Sequence, residues 1–245
     1  MSDHAKSKGA AGPVQELSIV LPAYNEAENI DTVVRSVMAC MDPLSIDYEV
    51  LVVNDGSADR TGEILDQLAL EFPRLKPQHH PQNRGYGAAL RTGFDAATKR
   101  YVFYMDGDGQ FDIREIERLL PLASEDCIVT GYRIQRRDPF IRRLNARLFG
   151  GFLVRVLLDV RVRDLNCAFK LIPKKVLNSI TLESTGALIN AELYGRVVRK
   201  GVRIREVGVN HYPRSAGVQT GAHLSVILRA FYDLFRLRQK IVSGG

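Results

Sequence analysis

The sequence has no tryptophan and only three cysteines in 245 residues. It also lacks any apolar run near the ~20 residues that a membrane-spanning helix requires. Cys40, Cys127 and Cys167 are odd in number and too far apart for a metal cluster, so reduced, mostly buried thiols are expected. The opening MSDHAKSKGAAGP has no hydrophobic core for a signal peptide and reads as a polar tail, which predicts a cytoplasmic protein. Hydrophobic content of 45% and charged content of 25% are ordinary for a globular chain and exclude disordered and fibrous classes. Acidic residues are scarce in one stretch: Gly131 to Lys175 holds twelve Lys or Arg against three Asp, more than the whole net charge of +6. A basic face of this kind suits nucleic acid, an anionic membrane or a phosphorylated substrate. No nucleic-acid module is legible, and aromatics are not interleaved with the basic residues as a stacking platform needs, so nucleic acid is not an expected partner.

What is present alternates between strand and helix. Leu17 to Leu21 and Tyr48 to Val53 are short apolar runs closed by polar or proline residues, and Leu75 to His80 is a shorter candidate. A helix starting near Asn25 would place Ile30, Val33, Val34, Val37 and Met38 on one face, and another starts near Asp59. Further strands are expected at Tyr101 to Met105, Cys127 to Thr130, Phe169 to Ile172 and Val202 to Val209, with a helix over Leu188 to Arg199. This order predicts an α/β fold with a single Rossmann-like, mostly parallel sheet flanked by helices, whose ligands bind beyond the strands' carboxyl ends. Residues 1–15 would be the tail and 16–222 the folded domain, with a basic amphipathic helix over 223–245. A second such helix is expected over Pro139 to Leu158.

The chain is organised around YVFYMDGDGQFD, Tyr101 to Asp112. Side chains two apart on an extended chain point the same way, so Asp106 and Asp108 can reach one cation, with Gly107 leaving room between them. Hard carboxylate oxygens with the amide of Gln110 suit Mg²⁺ or Mn²⁺, which keep positions for water and phosphate oxygens. An EF-hand does not fit, because Gln110 and Phe111 stand where an acidic residue and glycine are required. Asp112 reads as the cap of the helix IREIERLLPLA. Gly85 and Gly87 resemble a dinucleotide fingerprint only in part, since Gly93 is six residues past Gly87 instead of three, and a nicotinamide site is rejected. Such a helix start can receive a phosphate, or can let the helix pack closely on the sheet. His79 and His80 face opposite ways on a strand, which predicts surface or loop-edge side chains over a metal pair.

Seven stretches occur in order: LPAYNEAENI, VVNDGSADRT, NRGYGAALRTGF, MDGDGQFD, TGYR, DLNCAFKL and HYPRSAG. As an ordered set, covering about Leu17 to Gly221, they resemble the family 2 glycosyltransferases of GT-A fold. The most similar branch is the polyprenyl (dolichyl) phosphate mannosyl- or glucosyltransferases. The resemblance implies that Pro22, Tyr24 and Glu26 line a nucleotide pocket with Asn54 and Asp55, the latter on the base or ribose, and with Gly85 and Gly87 nearby. It implies that Asp106, Gly107, Asp108 and Gln110 hold the metal and the diphosphate of a nucleotide-sugar donor. Arg133, Arg147 and Arg214 fall where the branch grips the donor and a polyprenyl phosphate acceptor. Asn54 stands where many relatives have Asp, and Gly107 where the branch often has Ala.

The implied reaction is metal-dependent, inverting transfer of mannose or glucose from a GDP- or UDP-sugar. A phosphate acceptor is mostly dianionic at pH 7 and needs positioning arginines, whereas a hydroxyl acceptor would need a base, for which Asp164 and Glu192 are the candidates. A non-catalytic paralogue supporting an active transferase is the remaining alternative. The two basic amphipathic helices suggest peripheral attachment to an anionic membrane surface, on the cytoplasmic face, or to a separate membrane protein.

Overall fold

The computed structural model describes residues 14–134, 154–214, 234–239 and 241. Seven strands form one sheet in the order β3-β2-β1-β4-β6-β5-β7. They are β1 (Glu16–Ala23), β2 (Asp47–Asn54), β3 (Leu75–His79), β4 (Tyr101–Met105), β5 (Cys127–Arg133), β6 (Phe169–Pro173) and β7 (Arg203–Val209). All seven expected strands are therefore present, and the sheet is mostly parallel. The exception is β6, which runs antiparallel to both β4 and β5.

Helices α1 (Ile30–Met41), α2 (Thr61–Glu71), α3 (Tyr86–Ala96) and α6 (Ile189–Arg199) join short α4 (Val154–Leu158) and α5 (Lys174–Asn178). Every residue of β4 and all but the first of β1 and β2 are buried, as expected for strands covered on both faces. A main core runs from Val14 to Val209, and a smaller one joins Val154, Leu158, Tyr194, Leu234 and Leu237. Val14 and Gln15, read as the end of the tail, already belong to the fold: Val14 is buried and the Gln15 carbonyl accepts from Asp47 N.

Three local readings change. Helix α1 begins at Ile30, not near Asn25, because Asn25 takes a left-handed φ of 55° and its side chain is spent across the loop on Ala58 N at 2.8 Å. The expected helix after Asp112 is two 3₁₀ segments, Ile113–Arg118 and Leu120–Leu122. Asp112 does cap the first, accepting from Arg114 N at 3.0 Å, and Pro121 offers no N–H to continue it. His80 is buried instead of lying at a loop edge, since its ring bridges Asp55 and Thr92.

Within β2, Glu49 is a buried charge that the apolar run concealed. It accepts from Ser18 Oγ at 2.7 Å, Thr98 N at 2.7 Å and Lys76 Nζ at 2.7 Å. Burial acts to raise its pKa, but these donors outweigh burial and hold it at about 2. Of the expected basic helices, only 154–158, 234–239 and 241 fall among the described residues, and all are helical.

Candidate active site

The carboxyl ends of β2, β1 and β4 lie side by side, and the acidic stretch begins where β4 stops. Gly107 N donates to the Pro22 carbonyl at 3.2 Å, stitching the end of β4 to the end of β1. A Cβ on Gly107 would sit 3.1 Å from that carbonyl and 3.3 Å from Ile30 Cδ1, a tight fit that alanine meets only if its neighbours give by a few tenths of an ångström.

Asp106 is held inside this seam. Its Oδ1 is buried and finds no hydrogen-bond donor among the described residues. Burial first, then the charge of Asp108, push its carboxyl up to about 7, against the opposing pull of Tyr86, Lys170 and Arg133. An orphaned buried carboxylate oxygen is costly, and it is the atom that a divalent cation would satisfy. The acidic pair therefore fits a metal. Two carboxylates alone would leave a cation held here places for water and diphosphate oxygens; among the described residues no third His, Cys, Asp or Glu joins them in a cluster.

Asp108 accepts from Gln110 N at 3.1 Å, a tight turn in which Gly109 takes a φ of 74°. The Gln110 side chain donates to the Tyr212 carbonyl at 3.0 Å, which brings the HYPR segment after β7 onto the acidic turn. From that segment Arg214 reaches Glu26, an ion pair that bridges the β1 end to the other side of the site. Glu26 is buried and also accepts from Asn29 Nδ2 at 2.8 Å. Burial raises its pKa, Asn29 and Arg214 act to lower it, and the Asp108 charge adds to the rise. Tyr24 stays half-exposed beside this pair.

The expected nucleotide-side residues form a wall behind the carboxylates. Asp55 is buried; its Oδ1 meets His80 Nδ1 at 2.6 Å and Arg84 N at 2.9 Å, and its Oδ2 accepts from Gly85 N at 2.8 Å. Asn54 accepts from Ser57 N at 3.0 Å, while its amide nitrogen lies 3.1 Å from His79 Nδ1. An amide can serve both partners by accepting with one end and donating with the other, which gives Asn in this position a physical reason. The start of α3 receives a backbone carbonyl: Gly87 N donates to Thr185 O at 2.7 Å, and a Cβ on Gly87 would lie 2.4 Å from Ser184 O. Close packing on the sheet falls to Gly93, where a Cβ would lie 2.3 Å from Val20 Cγ1.

On the basic side, Arg133 at the end of β5 forms a two-pronged ion pair with Asp164, at 2.6 and 2.9 Å. Asp164 is nearly buried, so the pair fixes the guanidinium. Glu192 is fully buried and accepts from Glu183 N, Ser184 N and Arg196 Nε, clamping the loop that covers α3. Both side chains named as possible bases are thus engaged in structural pairs. Arg147 lies outside the described residues. Tyr86, hydrogen-bonded to Asp106, and Lys170, whose charge acts on Asp106 from the neighbouring strand, were not singled out from sequence; the signal for the second was a lysine inside an apolar strand.

Comparison with known proteins identifies the family and the fold. The Glycosyl transferase family 2 model matches residues 18–181. Glycosyltransferase AglD of Haloferax volcanii is 34% identical over 209 residues, covering 81% of this chain; the chain spans only 33% of that protein. Polyprenol monophosphomannose synthase of Mycolicibacterium smegmatis is 33% identical over 221 residues, covering 84% of this chain and 81% of the relative. Among solved structures, mannosyl-3-phosphoglycerate synthase from Rubrobacter xylanophilus superposes with a TM-score of 0.70 at 18% identity, covering 94% of this chain and 75% of that one. The GT-A-type α/β fold is shared, the carboxylate pair stands at the expected edge of the sheet, and the chain is a glycosyltransferase belonging to family 2.

Proposed function

We propose that this glycosyltransferase moves a hexose, mannose or glucose, from a GDP- or UDP-sugar to a polyprenyl phosphate with inversion at the anomeric carbon. The observation that carries the reading is the buried, unsatisfied Asp106 Oδ1 set beside Asp108 at the carboxyl edge of the sheet. A non-catalytic protein gains nothing from holding two carboxylates together at the cost of desolvation. Asp106, Asp108 and the amide of Gln110 would hold Mg²⁺ or Mn²⁺, which when bound supplies positive charge to the leaving nucleoside diphosphate.

The chain's own residues do the rest. Arg133 and Arg214 are each fixed by a carboxylate, Asp164 and Glu26, before substrate arrives, so little ordering cost falls on the bound state. Two preset guanidinium groups suit a phosphate, which is mostly dianionic at pH 7 and attacks without a general base. Asp164 and Glu192, the two candidate bases for a hydroxyl acceptor, are both committed to other partners, which favours the phosphate. The 33% identity to a polyprenol monophosphomannose synthase over most of both chains supports the phosphate acceptor.

Among the described residues no helix is long and apolar enough to cross a membrane. Val156 on α4 and Phe235 in the 234–239 helix are exposed apolar residues beside Arg155 and Arg236, a composition suited to peripheral contact with anionic lipid. The decisive experiment measures melting temperature against GDP and UDP with and without Mn²⁺, alongside hexose transfer to a short-chain prenyl phosphate. A metal-dependent rise with one nucleotide, absent in Asp106→Ala, together with transfer to the phosphate, is the expected result. No shift with either nucleotide would overturn the donor assignment. In flotation with anionic vesicles at low salt, protein that remained wholly in the soluble fraction would remove the membrane contact.

A further inference from the structure

Lys170 lies at the centre of β6 and is fully buried. Taking an ammonium group out of water is costly, and a core position of this size would accept methionine or leucine more readily. The lysine must therefore be matched by what surrounds it. Its Nζ donates to the Cys167 carbonyl, to Asn190 Oδ1 at 3.1 Å and, more weakly, toward the Leu165 carbonyl at 3.4 Å. The rings of Tyr104 and Tyr194 lie 5.1 and 5.4 Å from the charge, within cation–π range.

These partners connect the two halves of the site. Leu165 and Cys167 belong to the turn that starts at Asp164, and the turn is closed by Cys167 N on the Asp164 carbonyl at 3.3 Å. Asp164 is the residue that grips Arg133 with both oxygens. On the other side, Asn190 Oδ1 also accepts from Tyr104 Oη at 2.7 Å, and Tyr104 pairs directly with Lys170 in the β4–β6 register, two residues before Asp106. One buried ammonium thus ties the turn whose Asp164 grips Arg133 to the strand that leads into the acidic pair.

We infer that Lys170 is a positioning residue for acceptor binding: its buried ammonium sets the 164–167 turn, and through Asp164 it fixes the Arg133 guanidinium relative to the carboxylate pair. The inference rests on the acceptor role proposed for Arg133. A merely structural lysine would affect melting temperature and leave the acceptor dependence of turnover alone.

The test uses the full chain and short-chain prenyl phosphate. In folded Lys170→Met, the KM for prenyl phosphate should rise about tenfold or more, with the donor KM and the Mn²⁺-dependent nucleotide shift changed less than about twofold. Lys170→Gln, which keeps one donor, should fall between this variant and the wild type. Because both residues act through one guanidinium, Lys170→Met combined with Asp164→Asn should raise the acceptor KM no further than the worse single variant. An unchanged acceptor KM in a folded variant, independent multiplication of the two effects, or failure of both Lys170 variants to fold would overturn the inference and leave a stability role. Arg133→Ala separates the two readings. If it leaves the acceptor KM unchanged, the acceptor assignment itself falls and this inference with it. If it raises the KM while folded Lys170 variants do not, only the inference falls.

Discussion

Gln110 and Tyr212 are bonded in both directions: the Gln110 side-chain amide donates to the Tyr212 carbonyl at 3.0 Å, and Tyr212 N donates to the Gln110 carbonyl at 2.9 Å. This two-way link fastens the segment after β7 to the acidic turn. It also places Arg214, two residues on, beside Glu26.

Gln110→Ala removes the side-chain half of that link and leaves the backbone half. Nucleotide affinity in the presence of Mn²⁺ should weaken about tenfold, corresponding to ~1.4 kcal/mol, while the fold is retained. Calorimetric titration with GDP or UDP measures this, and unchanged affinity would remove Gln110 from the donor site.

Asp106 predicts a conflict between stability and function. Its folded pKa of about 7 is above the usual carboxylate value, so the group's contribution to stability is full below about pH 4 and is lost as pH rises through 7. In metal-free protein Asp106→Asn should flatten that slope and melt higher than the wild type at pH 8, by about 2–4 °C for each kcal/mol relieved. The same variant should lose catalysis by a factor of about 10³ or more. Melting curves at pH 5 and 8 in chelator decide the point, and a variant less stable than wild type at pH 8 would contradict it.

Glu49 titrates in the opposite sense. Its folded pKa of about 2 is below the usual value, so its contribution is present above about pH 4.5 and disappears as pH falls toward 2. Glu49→Gln keeps an acceptor for Ser18 and Thr98 but loses the charge facing Lys76, at an expected cost of about 1–3 kcal/mol at pH 7. Denaturant unfolding at pH 7 and pH 3 should show this cost shrinking in acid.

Gly87→Ala would drive a Cβ to within 2.4 Å of the Ser184 carbonyl, a backbone atom in a loop clamped by Glu192. The expected loss is about 1–3 kcal/mol, with increased proteolysis near residue 184. Wild-type stability in this variant would show that the loop yields easily.

Strands β1, β2 and β4 were legible because each is an apolar run closed by polar or proline residues, and the acidic pair was legible because its spacing and its place after a strand are local properties. Direction was not: FKLIP reads the same whether β6 runs with or against its neighbours, and only its pairings with β4 and β5 show the reversal. Arg133 and Asp164 were both singled out, but for separate roles, because their contact spans 31 positions and no local pattern encodes it. His80 was expected at a surface, and burial by the Asp55 carboxylate and Thr92 reversed that. The start of α1 was placed too early because the side-chain bonds that hold Asn25 in a left-handed turn are made to residues 57 and 58, more than 30 positions away.

The reversal of β6 also makes the molecule divisible. Strands β1 to β4 carry the acidic pair and the wall behind it, and they meet the β5–β7 portion in the sheet along one strand pair, Tyr101–Met105 with Phe169–Pro173. An antiparallel strand enters the sheet at the edge where its neighbours leave, so the turn that precedes β6 arrives beside the carboxylates without a crossover. A chimera joined between residues 107 and 126 therefore has one principal strand seam to match, five residue pairs long, with the helix and loop contacts across it as secondary constraints. Recombination between relatives at this seam is a route to new pairings of donor and acceptor in which neither half has to be redesigned.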